Sequence, residues 1–197
     1  HMLSVWTLVS ALGDLGRVDE IESAADAGYR LAETSGEFSH LRVPLAVVQA
    51  IAYRLAGAMP SLGALIARVR HDTIDVPFQQ AWHGLFAGLS AMSRGELVAA
   101  QRPLRETIAE LERSGGGRMT KVFARSWLTV VTAMAGKAVD ARREFETIEW
   151  WAEGTQTGVW DLERSIAEAW TCAAEGATSQ AISIVRDAAA RESEHGR

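Results

Sequence analysis

The stretch GLSAMSRGELVAAQRPLRET, residues 88–107, decides the fold, because its pattern recurs along the whole chain. Gly95 closes an apolar stretch and opens a more polar one, and Gly16, Gly57, Gly136 and Gly176 stand in the same place. Their spacing is about forty residues, a period that signals stacked helical hairpins. Glycine suits the position because a helix end commonly needs a left-handed residue, which it adopts at little cost. The register around the glycines repeats as well. Five residues on lie Ile21, Leu62, Ala100, Ala141 and Ala181; nine on lie Ala25, Ile66, Leu104, Phe145 and Val185; twelve on lie Gly28, Val69, Thr107, Ile148 and Ala188. Offsets separated by four and then three stack on one face of a helix. Seven residues before each glycine stand Val9, Ala50, Gly88, Thr129 and Ala169, none of them bulky, so the two helices of a pair can approach closely.

The expected architecture is all-α: an α-solenoid of about five helix-turn-helix, tetratricopeptide-like repeats. The units fall near 3–40, 41–76, 77–117, 118–158 and 159–197, in a single helical-repeat domain. First helices are expected near Leu3–Leu15, Pro44–Ala56, Pro77–Ser93, Met119–Ala135 and Trp160–Glu175. Second helices are expected near Val18–Thr34, Pro60–His71, Glu96–Arg113, Ala138–Ala152 and Ser179–Glu194. Pro44, Pro60 and Pro77 fall at helix starts, where the missing N–H costs nothing. Pro103 falls inside a helix and is expected to kink or shift it. His1-Met2, followed directly by Leu3-Ser4-Val5-Trp6, reads as an expression scar joined to the middle of a larger protein.

Bulk composition excludes several classes. Hydrophobic residues make up 48% of the 197, enough for a packed core. The net charge of -5 disfavours direct nucleic-acid binding by this chain. No apolar run approaches a membrane span. The single cysteine, Cys172, excludes an internal disulfide and a cysteine-based zinc site and suits a reducing cytoplasm.

The two helix classes differ in charge. Leu3–Gly13 and Pro77–Ser93 carry no charged residue and Pro44–Ala56 only Arg54, whereas the second helices are charge-rich. A helix that is apolar nearly all round is either core or the lining of a groove. The groove reading takes a ligand or a partner helix, with Trp127, His83 and Tyr53 on first helices and Trp160 opening the fifth unit as candidate lining residues. Trp82 shares a stripe with Phe78, Leu85, Leu89 and Met92 at helical spacing and reads as core. Trp150 and Trp151 are adjacent and cannot both face one core, which makes them the leading pointer to an interface.

Catalytic constellations are missing. There is no phosphate loop, dinucleotide fingerprint or HExxH helix, and Gly115-Gly116-Gly117 before Arg118 reads as a linker. No two of His1, His40, His71, His83 and His195 have metal-ligand spacing. Glu146, Glu149 and Glu153 share a helical face, but a bundle metal site would add Glu-x-x-His motifs. Cys172 reads as a small buried hydrophobe. The expectation is a non-enzyme without a cofactor.

Three segments carry a family resemblance: WTLVSALGDLGRVDE at residues 6–20, AWHGL at 81–85 with RGEL at 94–97, and AEAW at 167–170 with EG at 175–176. They resemble the helical repeats of large LuxR-type, MalT-like, ATP-dependent transcription activators, which are abundant in actinobacteria. The resemblance implies a cytoplasmic sensor and protein-interaction module lying between an NTPase and a C-terminal helix-turn-helix. Its implied partners are a small-molecule inducer, a partner protein or the parent's other domains. The alternative is a structural spacer or homodimerisation scaffold in a multidomain signalling ATPase, and a helical enzyme is the remote one. No nucleotide, DNA or inducer contact carries over to a residue of this chain.

Overall fold

The computed structural model describes residues 2–34, 41–69, 77–115, 117–148 and 158–194, with the side chains of 2, 3, 77–80, 119, 158–160, 192 and 194 left aside. The described residues form ten helices and no strand. In chain order they are α1 (Met2–Asp14), α2 (Val18–Thr34), α3 (Arg42–Leu55), α4 (Met59–Val69), α5 (Pro77–Ser93), α6 (Leu97–Arg113), α7 (Arg118–Met134), α8 (Ala138–Glu146), α9 (Gly158–Ala174) and α10 (Thr178–Glu194). The chain divides into two compact units, His1–Ile74 and Asp75–Arg197.

The recurrent glycine is the end of every first helix. Gly16, Gly57, Gly95, Gly136 and Gly176 have φ of 67, 69, 76, 75 and 85°. Each sits in the same pair of closing bonds, seen at Gly95 as Gly95 N–H to Met92 O (2.9 Å) and Glu96 N–H to Ala91 O (3.0 Å). This double closure satisfies carbonyls that the helix end would otherwise strand. The turn is then short enough for the next helix to start two residues later and fold back.

Packing follows the register. The residues five and twelve after each cap glycine are buried in all five hairpins, from Ile21 and Gly28 to Ala181 and Ala188. The position nine after is buried at Ala25 and Leu104, half-buried at Ile66 and Phe145, and exposed at Val185. Within the first unit, α3 packs on α1, α2 and α4; within the second, α7 packs on α5, α6, α8 and α9, and α9 on α8 and α10. Within each unit, a first helix therefore makes the junction between neighbouring hairpins. Gly88 shows why the residue seven before the cap is small: a Cβ there would stand 2.6 Å from Leu104 Cγ. Beside it, Thr107 Oγ1 donates to the Ala81 carbonyl at 3.1 Å, tying α6 to α5. The second unit's core is an aromatic run, with ring centroids 6.4 Å apart for Trp82–Phe123 and 6.3 Å for Phe123–Trp127.

One local expectation differs from the structure. The fourth second helix, expected to reach Ala152, ends at Glu146. Thr147 captures the Glu144 carbonyl with both its N–H (3.1 Å) and its hydroxyl (2.6 Å), and Ile148 N–H bonds back only three residues, to Phe145 O (3.0 Å). Such tightened bonds close a helix rather than extend it. The shortened α8 is braced by Arg142, which clamps Glu175 of the α9 cap with Nε–Oε1 at 2.8 Å, and by Arg164, whose guanidinium lies 5.0 Å from the Phe145 ring centroid. Pro103 lies inside α6, and helix continues on both sides of it from Leu97 to Arg113.

Candidate functional site

Sequence position alone places Gln49 and Tyr53 one helical turn apart on α3, a polar pair on an otherwise apolar face. The fold lays α2 and α4 on either side of them. Gln49 is 1% exposed, so its amide must be satisfied inside the protein. Tyr29 of α2 donates its hydroxyl to Gln49 Oε1 at 2.9 Å, and Gln49 Nε2 donates to the Tyr53 hydroxyl at 3.0 Å. Arg68 of α4 reaches the same Oε1 at 3.3 Å and lays its guanidinium 4.9 Å from the Tyr29 ring centroid. Asp26 of α2 stands 4.0 Å from Arg68, a weak pair at half-exposed positions.

Arg68 lines two cavities. One of 490 Å³ has Gln49 and Tyr53 with Glu22, Ser61 and Leu65; the other, of 210 Å³, has Tyr29 with Asp26, Arg30, Glu33 and Arg42. Burial pushes the Tyr29 phenol up to about 12, against the lowering pull of Arg68. Burial also raises the Tyr53 phenol, against the hydrogen bond from Gln49. Both tyrosines are therefore neutral donors and acceptors at physiological pH, beside the Arg68 guanidinium. The arrangement can hold a polar molecule by hydrogen bonds and charge. Among the described residues no group of three His, Cys, Asp or Glu side chains could hold a metal ion. No described helix is long and apolar enough to cross a membrane.

The residues singled out in the sequence fall in different places. Tyr53 belongs to this network. Trp127 is buried in the aromatic run of the second unit, as is Trp82. His83 is half-buried on α5. Trp150 and Trp151 lie outside the described residues, as do Glu149, Glu153, His40, His71 and His195, and of the Trp160 side chain nothing is described. Cys172 is buried. The structure adds Tyr29, Gln49 and Arg68, which the sequence reading passed over; the polar Gln49–Tyr53 pair in a charge-poor helix was the available signal. It also adds Trp170, exposed on α9, and Glu163, buried on the same helix.

No protein-family model, no curated protein and no solved structure matches this chain.

Proposed function

We propose that the chain is a non-catalytic recognition module, an α-solenoid of about five tetratricopeptide-like hairpins whose groove over Gln49 takes a small polar molecule. The observation that carries this reading is the buried Gln49 amide, cross-linked to two phenols beneath the Arg68 guanidinium. Groups already held in place by one another lose little freedom when a ligand arrives, which favours binding. Arg68 offers a cation and Glu22 an anion across the same 490 Å³ cavity. A zwitterion such as a free amino acid matches that pairing, with its carboxylate on Arg68. In the wider reading the module serves a LuxR-type, MalT-like regulator in the cytoplasm, passing the presence of an inducer or a partner protein to the parent's other domains. The five-fold register and the three quoted segments support that assignment.

Thermal melting in a panel of free amino acids tests the binding reading. A ligand at about one hundred times its Kd stabilises the folded state by about 2.7 kcal/mol, a readily measured rise in Tm. The rise is expected for the unaltered protein and lost in Arg68→Ala and Gln49→Leu. A flat panel, or a rise that survives both substitutions, contradicts the assignment.

A further inference from the structure

A hairpin with neighbours has a leading and a trailing side, and the register marks the leading one on α3 and α7 and the trailing one in the second unit. Twelve, eight and five residues before the cap glycine lie Leu45, Gln49 and Ala52 on α3, and Ala124, Leu128 and Val131 on α7, all buried. Gly13 and Gly28 locate this stripe: a Cβ on Gly13 would stand 2.6 Å from Ala52 Cα and one on Gly28 2.7 Å from Leu45 Cδ2, so the α3 stripe packs against the preceding hairpin, on both α1 and α2. The same stripe on α1 itself, Ser4, Leu8 and Ala11, is exposed, with Leu8 at 50%. The trailing side is marked six residues before the glycine and nine after. In the second unit Leu89, Val130 and Leu104 are buried there and Phe145 is half-buried, in hairpins that a following first helix covers. Their counterparts on the last hairpin are Trp170, 42% exposed, and Val185, 51% exposed. With Ile182, 48% exposed, they line a groove of 590 Å³ between α9 and α10.

We propose that the bare stripe of α1 in one copy of this chain lies in the α9–α10 groove of a second copy, so that the protein associates head to tail. The contact continues the junction that each unit already makes within itself, a first helix laid on the trailing side of a hairpin. Charge permits it: Arg186 is the charged residue lining the groove, and Asp14 is the one charged residue of α1. A symmetric pairing of two α9–α10 grooves would oppose Arg186 to itself and would set hairpins together without the first-helix junction seen elsewhere. A head-to-tail contact does not close on itself as a symmetric pair does, so chains of copies grow with concentration. One helix in one groove is a small interface, and the association is correspondingly weak. None of this depends on the ligand proposed for the Gln49 groove.

Sedimentation equilibrium on the 197-residue chain tests the proposal, up to about millimolar concentration given the affinity expected of so small a contact. The weight-average mass should rise with concentration. Leu8→Lys and Val185→Lys should each raise the apparent Kd at least about tenfold, a change of roughly 1.4 kcal/mol. Mixed in equal amounts, they should form a one-to-one dimer that grows no further, because one supplies the intact groove and the other the intact α1 stripe. Melting curves check that both variants keep the fold; where one does not, Ala11→Lys or Ile182→Lys replaces it. A chain that stays monomeric throughout, a Leu8→Lys variant that still self-associates, or a mixture that remains monomeric overturns the proposal.

Discussion

Tyr29 of α2 and Gln49 of α3 are joined by a 2.9 Å hydrogen bond between hydroxyl and side-chain carbonyl. The Gln49 amide is buried, and its two ends serve different partners, so one residue orders three helices. Gln49→Leu keeps the volume roughly and strands both phenols. Loss of about 1–3 kcal/mol is expected, the cost of leaving buried polar groups without partners. Urea unfolding should show a lower midpoint with an unchanged slope.

The tyrosines give a pH signature. The chain has two, and burial raises both above the ordinary phenol value, Tyr29 to about 12. A raised folded-state pKa means that the folded protein holds its proton while the unfolded chain releases it. The Tyr29 contribution is thus full below pH 10 and disappears as pH rises from there through about 12. Its size is about 3 kcal/mol by linkage. Tyrosinate absorbance of the folded protein should lag that of the chain in denaturant, and Tyr29→Phe should remove the later-titrating component.

Two glycines of one hairpin should fail in different ways. Gly95→Ala meets no atom within 4 Å but must hold φ of 76°, a cost of about 1–2 kcal/mol for a residue with a Cβ. Gly88→Ala has an ordinary helical backbone but strikes Leu104 Cγ at 2.6 Å and Cδ2 at 2.8 Å, an overpacking cost of about 1–3 kcal/mol. A double-mutant cycle with Leu104→Ala separates them. Coupling is expected for Gly88 and additivity for Gly95.

The hairpins and their register were legible in the sequence because both rest on local chemistry. Gly95 has to be a glycine to close α5, and Ala100 and Thr107 recur at the spacing of one buried face. The end of α8 was not legible, since Thr147 competes for the Glu144 carbonyl through a geometry that periodicity does not register. Trp127 sits on a first helix that reads equally as groove or core, and the neighbouring Phe123 ring decides for core. Of the Gln49 network only the polar Gln49–Tyr53 pair on α3 was legible, and the rest was not, for a different reason. Its members lie on three helices, and nothing in the spacing of Tyr29, Gln49 and Arg68 announces that they meet. Trp170 and Val185 stand at the register positions that Leu89 and Leu104 bury earlier in the second unit, and they are exposed because among the described residues no further helix packs on α9 and α10 beyond α7 and α8.

Acid should loosen the α8–α9 junction. The hydrogen bonds from Arg142 hold the Glu175 carboxyl below its ordinary value of 4.5. A lowered folded-state pKa gives a contribution present above that ordinary value and lost as pH falls through the lower, folded one. The pair is about one-third exposed, so solvent limits it to about 1 kcal/mol or less. Glu175→Gln should lower Tm near neutrality, and the difference from the unaltered protein should shrink toward pH 3.

Side-chain nuclear magnetic resonance of Gln49 and Arg68, recorded while single free amino acids are added, tests the recognition reading most directly. At least one amino acid should move the Gln49 amide and Arg68 guanidinium signals saturably, with the smaller shifts confined to α2, α3 and α4. No movement with any of them, or shifts centred on helices away from this groove, would contradict it.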